Sequence, residues 1–195
     1  MRERLDWHSE LLDPLAVFYA ASDVPPPAIE PVRADDVPEP YRALLVHKDD
    51  MTFVLQRFHG QPIDLHVLDR RVTSETVLRR VVLRIRGDDT AVEFGAIRIH
   101  LNHFTPEARR AVLDADRPLG AILRDHALAF VSRPSAILRV TPDDAIRRAM
   151  DLNGTPILYG RCNVLYGSAD QPLAQVVEIL PPLGRKTGEE HRDGC

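Results

Sequence analysis

Val77-Leu78-Arg79-Arg80-Val81-Val82-Leu83-Arg84-Ile85-Arg86 is the stretch whose reading decides the fold. It reads as a β-strand, and side chains on a strand alternate between its two faces. One face takes Arg80, Val82, Arg84 and Arg86 and is expected to be a solvated stripe. The other takes Val77, Arg79, Val81, Leu83 and Ile85, which is apolar except for one guanidinium. A buried charge needs a partner or an anionic ligand, because an isolated one is costly to desolvate. Late in the chain, Val176-Val177-Glu178-Ile179-Leu180 repeats the anomaly with the opposite sign. Two lone opposite charges on separate apolar strands leave two readings open: an internal ion pair, or a pocket for a small anionic molecule.

Working outward, the flanking segments read as further strands. Ile63 to Thr73, Ser74 to Arg86 and Ala91 to Asn102 are three candidates, the last two joined by the turn Gly87-Asp88-Asp89. Residues 130–141 form another, and Ile157 to Tyr166 with Leu173 to Leu180 form a hairpin around Gly167-Ser168-Ala169-Asp170. Helices are expected over 5–21, kinked or divided at Pro14, and over about 40–47. A third begins at Asp49 or Asp50 and ends at Gly60. Three more open at Thr105-Pro106, at Pro118 and at Thr141-Pro142-Asp143-Asp144, running to about Asp114, His126 and Leu152. The proline-rich run 22–40 reads as an extended connection over the surface. Hairpin-joined strands with helices interspersed predict an α+β domain over 1–182, a single antiparallel sheet flanked by helices, followed by a disordered polar tail over 183–195.

Composition narrows the function classes. The chain has 195 residues, 44% of them hydrophobic and 28% charged, ordinary values for a globular domain with a real core. A net charge of −4 gives no support to nucleic-acid binding. No apolar run approaches the roughly 18 residues of a membrane span, and the start Met1-Arg2-Glu3-Arg4 lacks a signal-peptide core. Cys162 and Cys195 are too few for a disulfide framework, so a cytoplasmic setting is expected. Strand–glycine loop–helix units, Gly-x-Ser-x-Gly, His-Glu-x-x-His and Cys-x-x-Cys are all absent from the sequence.

The remaining candidates carry bland alternatives. A guanidinium grips a carboxylate with a planar, two-toothed fork and stays charged when buried, which suits Arg79 to a ligand. A carboxyl balanced between desolvation and a nearby arginine suits Glu178 to proton handling or to accepting a hydroxyl hydrogen bond. Arg98, His100 and Asn102 share one strand face, either a polar cavity wall or, more simply, a solvated surface. His100 and His103 have no third ligand at metal spacing, and no metal or cofactor is expected. Cys162 reads as a small buried residue. Arg161, after Tyr159-Gly160, is a second cationic contact or an edge-strand surface arginine.

Four blocks in order resemble the bacterial chorismate lyases, and more closely their actinobacterial branch: Asp50-Met51-Thr52; Leu78-Arg79-Arg80-Val81-Val82-Leu83; Pro118-Leu119-Gly120; and Gly160-Arg161 through Pro172-Leu173 to Glu178-Ile179-Leu180-Pro181. Together they cover most of residues 45–182. The resemblance implies a chorismate lyase-like fold, an antiparallel sheet whose flanking helices enclose the ligand. It implies a cofactor-independent elimination of pyruvate from chorismate, giving 4-hydroxybenzoate, by a monomeric enzyme. It assigns Arg79 to a substrate carboxylate, Glu178 to the C4 hydroxyl end, and Met51 and Leu119 to ligand contact, with Arg98 or Arg161 on the second carboxylate. The family's Gly-Arg-Thr-Val-Val-Pro stretch is here Gly95-Ala96-Ile97-Arg98-Ile99-His100, and its Gly-Arg-Arg is Gly160-Arg161-Cys162. The same fold also serves as a non-catalytic ligand-binding domain of bacterial regulators. That leaves an aromatic-acid binding module, or an enzyme acting on another carboxylate, as alternatives.

Overall fold

The computed structural model describes residues 10–20 and 25–183. Seven strands form one antiparallel sheet: β1 Ala28–Val32, β2 Ile63–Val72, β3 Thr76–Ile85, β4 Ala91–His100, β5 Val131–Thr141, β6 Leu158–Tyr166 and β7 Pro172–Leu180. Their order across the sheet is β1-β5-β6-β7-β4-β3-β2, so β7 is the central strand. Six helices accompany them: α1 Asp13–Tyr19, α2 Tyr41–Leu45, α3 Met51–His59, α4 Pro106–Asp114, α5 Leu119–Asp125 and α6 Asp144–Ala149. The α+β class and the single flanked sheet are as the sequence predicts.

The local signals account for most boundaries. Asp50 caps α3 by accepting from the Thr52 N–H at 3.1 Å, and Gly60 ends it in the left-handed conformation at φ 69°. Thr105 and Asp143 likewise accept from Ala108 N and Ile146 N at the starts of α4 and α6. Pro14 lies in the first turn of α1, where a missing N–H costs nothing, so it opens the helix rather than kinking it. Residues 5–9 and 21 of the expected first helix lie outside the described residues, as does the tail beyond Leu183.

Two expectations are corrected. The proline-rich run contains β1, which pairs with β5 from Ala28↔Thr141 to Val32↔Ile137 at the sheet edge. An edge strand can hold Pro31 because it need not donate on its open side. The face carrying Arg80, Val82 and Arg84 is not a solvated stripe but the floor of a core beneath α1 and α6. Val82 packs there with Leu12, Leu15, Phe18 and Ile146. Arg80 lies 5.4 Å from the centre of the Phe18 ring, and Arg84 donates to Ala149 O at 2.8 Å and Asp151 Oδ2 at 3.0 Å. Long arginine stems cover apolar surface while their heads reach polar partners at the rim.

The sheet is therefore buried on both faces. The second face carries two more clusters, one under α4 and α5 (Ile97, Ile99, Val112, Ile122, Leu165, Val176) and one under α2 and α3 (Leu45, Met51, Leu55, Leu83, Leu180). The seam between these clusters is where the polar residues of interest fall. Gly160 on β6 is fixed by backbone proximity, since a β-carbon there would overlap the Glu178 carbonyl oxygen of β7. Gly160→Ala is expected to cost roughly 3 kcal/mol, because overpacking against main chain has no side chain to yield. Denaturant unfolding of the variant checks this; a loss under about 0.5 kcal/mol would contradict so tight an approach.

Candidate functional site

Between α3 and α5, above β3, β4 and β7, lies a chamber of about 70 Å3. Its apolar wall includes Leu65, Val81, Leu83, Ile97, Leu165 and Val176, and its polar groups are Asp50, Thr52, Arg79, Glu93, Asn163 and Glu178. A buried water needs roughly 10–15 Å3, so the chamber has room for several waters or one small molecule.

Sheet register brings the two strand anomalies to the same face. Arg79 pairs with Ile97 of β4, which pairs with Val176 of β7; two residues along, Val81 pairs with Gly95, which pairs with Glu178. Two strand spacings and two residue rises separate the Arg79 and Glu178 backbones by roughly 12 Å. The internal Arg79–Glu178 ion pair, one of the two readings left open by the sequence, does not form. Glu178 Oε2 instead accepts from Arg161 Nε at 2.5 Å, and both side chains are buried.

Arg161 is the neutralising partner and a structural tie, placed behind Glu178 and not among the residues lining the chamber. It is fully buried, and its other nitrogens reach Leu45 O (3.4 Å), His47 O (3.2 Å) and Asp49 O (3.4 Å). It therefore holds the segment leading into α3 against the sheet, and the surface-arginine alternative for it is set aside. His47, beside it, is pushed below the ordinary histidine pKa by burial and by the Arg161 charge.

Arg79 is the opposite case. It is 1% exposed, yet Nε and Nη1 are buried with no hydrogen-bond partner. Burial lowers its pKa to about 10, and Arg70 adds repulsion that Asp116 only partly opposes. Arg70 is its cross-strand neighbour on β2 and donates to Leu113 O of α4. A buried guanidinium with two nitrogens unpartnered among the described residues, set in an apolar wall, has hydrogen-bonding capacity for an anion.

The roof is made by two helix starts. Met51 and Thr52 of α3 and Leu119 and Gly120 of α5 line the chamber, so the blocks Asp50-Met51-Thr52 and Pro118-Leu119-Gly120 meet there. A β-carbon on Gly120 would collide with the Asp50 carboxylate, so only glycine lets α5 approach this closely. Arg124, one turn further on, donates to Asp50 Oδ2 and ties the two helices across the opening.

Not every expected residue arrives. Arg98 lies on the other face of the sheet, where its Nε donates to Asp13 Oδ2 of α1 at 2.6 Å. It takes no part in the chamber wall, and that assignment is corrected. Cys162 is buried in the core under α1, its thiol pushed up to about 12 by desolvation and then by Glu178. Two residues absent from the sequence candidates do arrive. Asn163, whose Oδ1 accepts from Ser132 Oγ at 3.1 Å, follows Arg161 on the inward face of β6. Glu93 of β4 is 4% exposed, and its alternation with Gly95 and Ile97 is the signal that finds it. Burial first, then Glu178, raises its pKa well above the ordinary carboxylate value, with the Arg161 charge opposing.

No protein-family profile and no curated protein matches the chain. Solved structures do match. PhnF from Mycobacterium smegmatis aligns with TM-score 0.55 at 14% identity, over 70% of this chain and 65% of that one. The effector domain of the same protein aligns with TM-score 0.52 at 15% identity, over 67% of this chain and 87% of the domain. The match thus spans less than two thirds of PhnF but most of its effector domain. The ligand-binding domain described for a GntR-family transcriptional regulator from Bordetella bronchiseptica aligns with TM-score 0.48 at 12% identity, over 61% of this chain and 85% of that one. The fold is therefore that of the PhnF effector domain, in keeping with the chorismate lyase-like architecture.

Proposed function

We propose that this chain binds a small aromatic carboxylate in the chamber between α3 and α5, with Arg79 as its anchor. The carrying observation is the buried guanidinium whose Nε and Nη1 have no hydrogen-bond partner among the described residues. A ligand carboxylate accepts charge-assisted hydrogen bonds from that guanidinium, which a neutral or apolar ligand cannot do. The flat apolar walls accept a ring, and the Glu178–Arg161 pair forms the polar far end. The effector-domain fold supports a binding module, although fold alone does not fix activity.

A second reading, elimination of pyruvate from chorismate, is favoured by one specific observation. Asp50-Met51-Thr52, Arg79, Leu119-Gly120 and Glu178 come from all four blocks of the chorismate lyase resemblance, and all line one cavity. In that reading Arg79 holds the ring carboxylate. The ether C–O bond breaks, a ring C–H proton leaves, and the departing three-carbon unit takes up a proton to become pyruvate. Glu178, ion-paired to Arg161 at the far end, is the group positioned to handle that proton.

One pair of assays separates the readings. At a hundredfold its Kd, 4-hydroxybenzoate is expected to stabilise the protein by about 2.7 kcal/mol, seen as a raised melting temperature. Chorismate is then added and release of 4-hydroxybenzoate followed by absorbance. Stabilisation without turnover supports the binding module, and turnover supports the lyase. No stabilisation by any benzoate contradicts both.

A further inference from the structure

Glu93 is a buried carboxyl of the chamber that neither the ion pair nor the anchor uses. It comes from β4, where Gly95 lies between it and the Arg79 end of the cavity. Gly95 pairs directly with Glu178 and carries no side chain, so the Glu93 carboxyl leans into the space beside Glu178. Glu93 Oε1 lies 3.1 Å from where a Gly95 β-carbon would stand. Its Oε2 is buried, lines the chamber wall, and has no hydrogen-bond partner. Asp50 and Glu178 are the nearby acids, and Arg161 the nearby base, but Arg161 spends its donors on Glu178 and on the carbonyls of residues 45, 47 and 49.

We propose that Glu93 is a specificity residue of this chamber: with Glu178 it forms a two-carboxyl seat for a ligand hydroxyl at the end away from Arg79. The proposal deepens the carboxylate-binding reading and rests on it. The two carboxyls have different roles. Glu178, ion-paired to Arg161, accepts a hydrogen bond. Glu93, with no cation of its own, carries an O–H and donates one. A hydroxyl both donates and accepts, and so satisfies the pair at once. A bare ring edge leaves two buried polar groups without partners, which is the basis of discrimination against the unsubstituted acid. The ligand class is therefore a hydroxylated aromatic acid, carboxylate at one end and hydroxyl at the other.

Calorimetric titration of the full chain with benzoate and with 4-hydroxybenzoate tests this. Wild type is expected to prefer 4-hydroxybenzoate by about tenfold, the value of one or two well-made buried hydrogen bonds. Glu93→Leu is expected to bring that preference below about twofold while benzoate still binds through Arg79. Glu93→Gln, which keeps one donor and one acceptor in the same shape, is expected to retain it. Should Glu93→Leu fail to fold, Glu93→Met gives the same apolar replacement at closer length. Equal affinities in wild type, or a preference that survives the apolar variant, overturns the assignment of Glu93 and leaves the Arg79 anchor standing. Failure of wild type to bind either acid overturns the anchor, and the hydroxyl seat with it.

Discussion

Replacing Arg79 with leucine is expected to raise the protein's stability by about 1–3 kcal/mol and to weaken benzoate binding by about a hundredfold or more. Opposite signs in stability and affinity are the signature of a residue kept for its ligand. The guanidinium is 1% exposed, and two of its nitrogens lack partners. Its desolvation cost is therefore offset only by the Asp116 charge, which the Arg70 charge outweighs. Leucine, though shorter, removes that cost and faces Val81, Ile97 and Val176, which line the same wall. Thermal denaturation and calorimetric titration read the two effects separately. A variant less stable than wild type would mean that Arg79 holds the fold together, and the anchor assignment would fail.

Arg161→Leu is expected to do the reverse, costing about 3–5 kcal/mol of stability. This arginine is as deeply buried as Arg79, and composition or burial alone would rank the two alike. Their partners separate them. Arg161 holds Glu178 at 2.5 Å and bridges to the carbonyls of Leu45, His47 and Asp49. Removing it strands the Glu178 carboxylate beside Glu93 in a desolvated wall and frees the segment that leads into α3. Denaturant unfolding measures the loss. A cost below about 1 kcal/mol would show the pair to be no more than a surface-like contact.

The difference between these arginines marks what the sequence can and cannot reveal. Alternation along β3 and β7 identifies Arg79 and Glu178 as charges on apolar faces, because a period of two is local. Which charge meets which depends on strand order. β6 lies beside β7, whereas β3 stands two strands away, so Arg161 reaches Glu178 and Arg79 does not. No local pattern carries that information. Glu93 obeys the same alternation as Arg79, but the opposite face of β4 offers Arg98 and His100, with Asn102 just past the strand end, a louder polar signal, and Arg98 belongs to the α1 side of the sheet.

Other departures have similarly local causes. The arginines at 80 and 84 mimic a solvated stripe, because a sequence does not distinguish a wet face from one whose long side chains run out from under a helix. The prolines over 25–40 argue against a strand, and β1 forms only because its place at the edge tolerates a missing donor. Helix starts at Asp50, Thr105 and Asp143 were legible because capping is decided within a few residues. The meeting of Gly120 with Asp50 was not, since it joins helices seventy residues apart.

A crystal structure of the protein with 4-hydroxybenzoate tests the central claim most directly. The ligand carboxylate is expected on the Arg79 guanidinium, the ring between Val81, Leu83 and Val176, and the hydroxyl between Glu93 and Glu178. Arg79 turned to a protein carboxylate such as Asp116, with the chamber empty at saturating ligand, would contradict it.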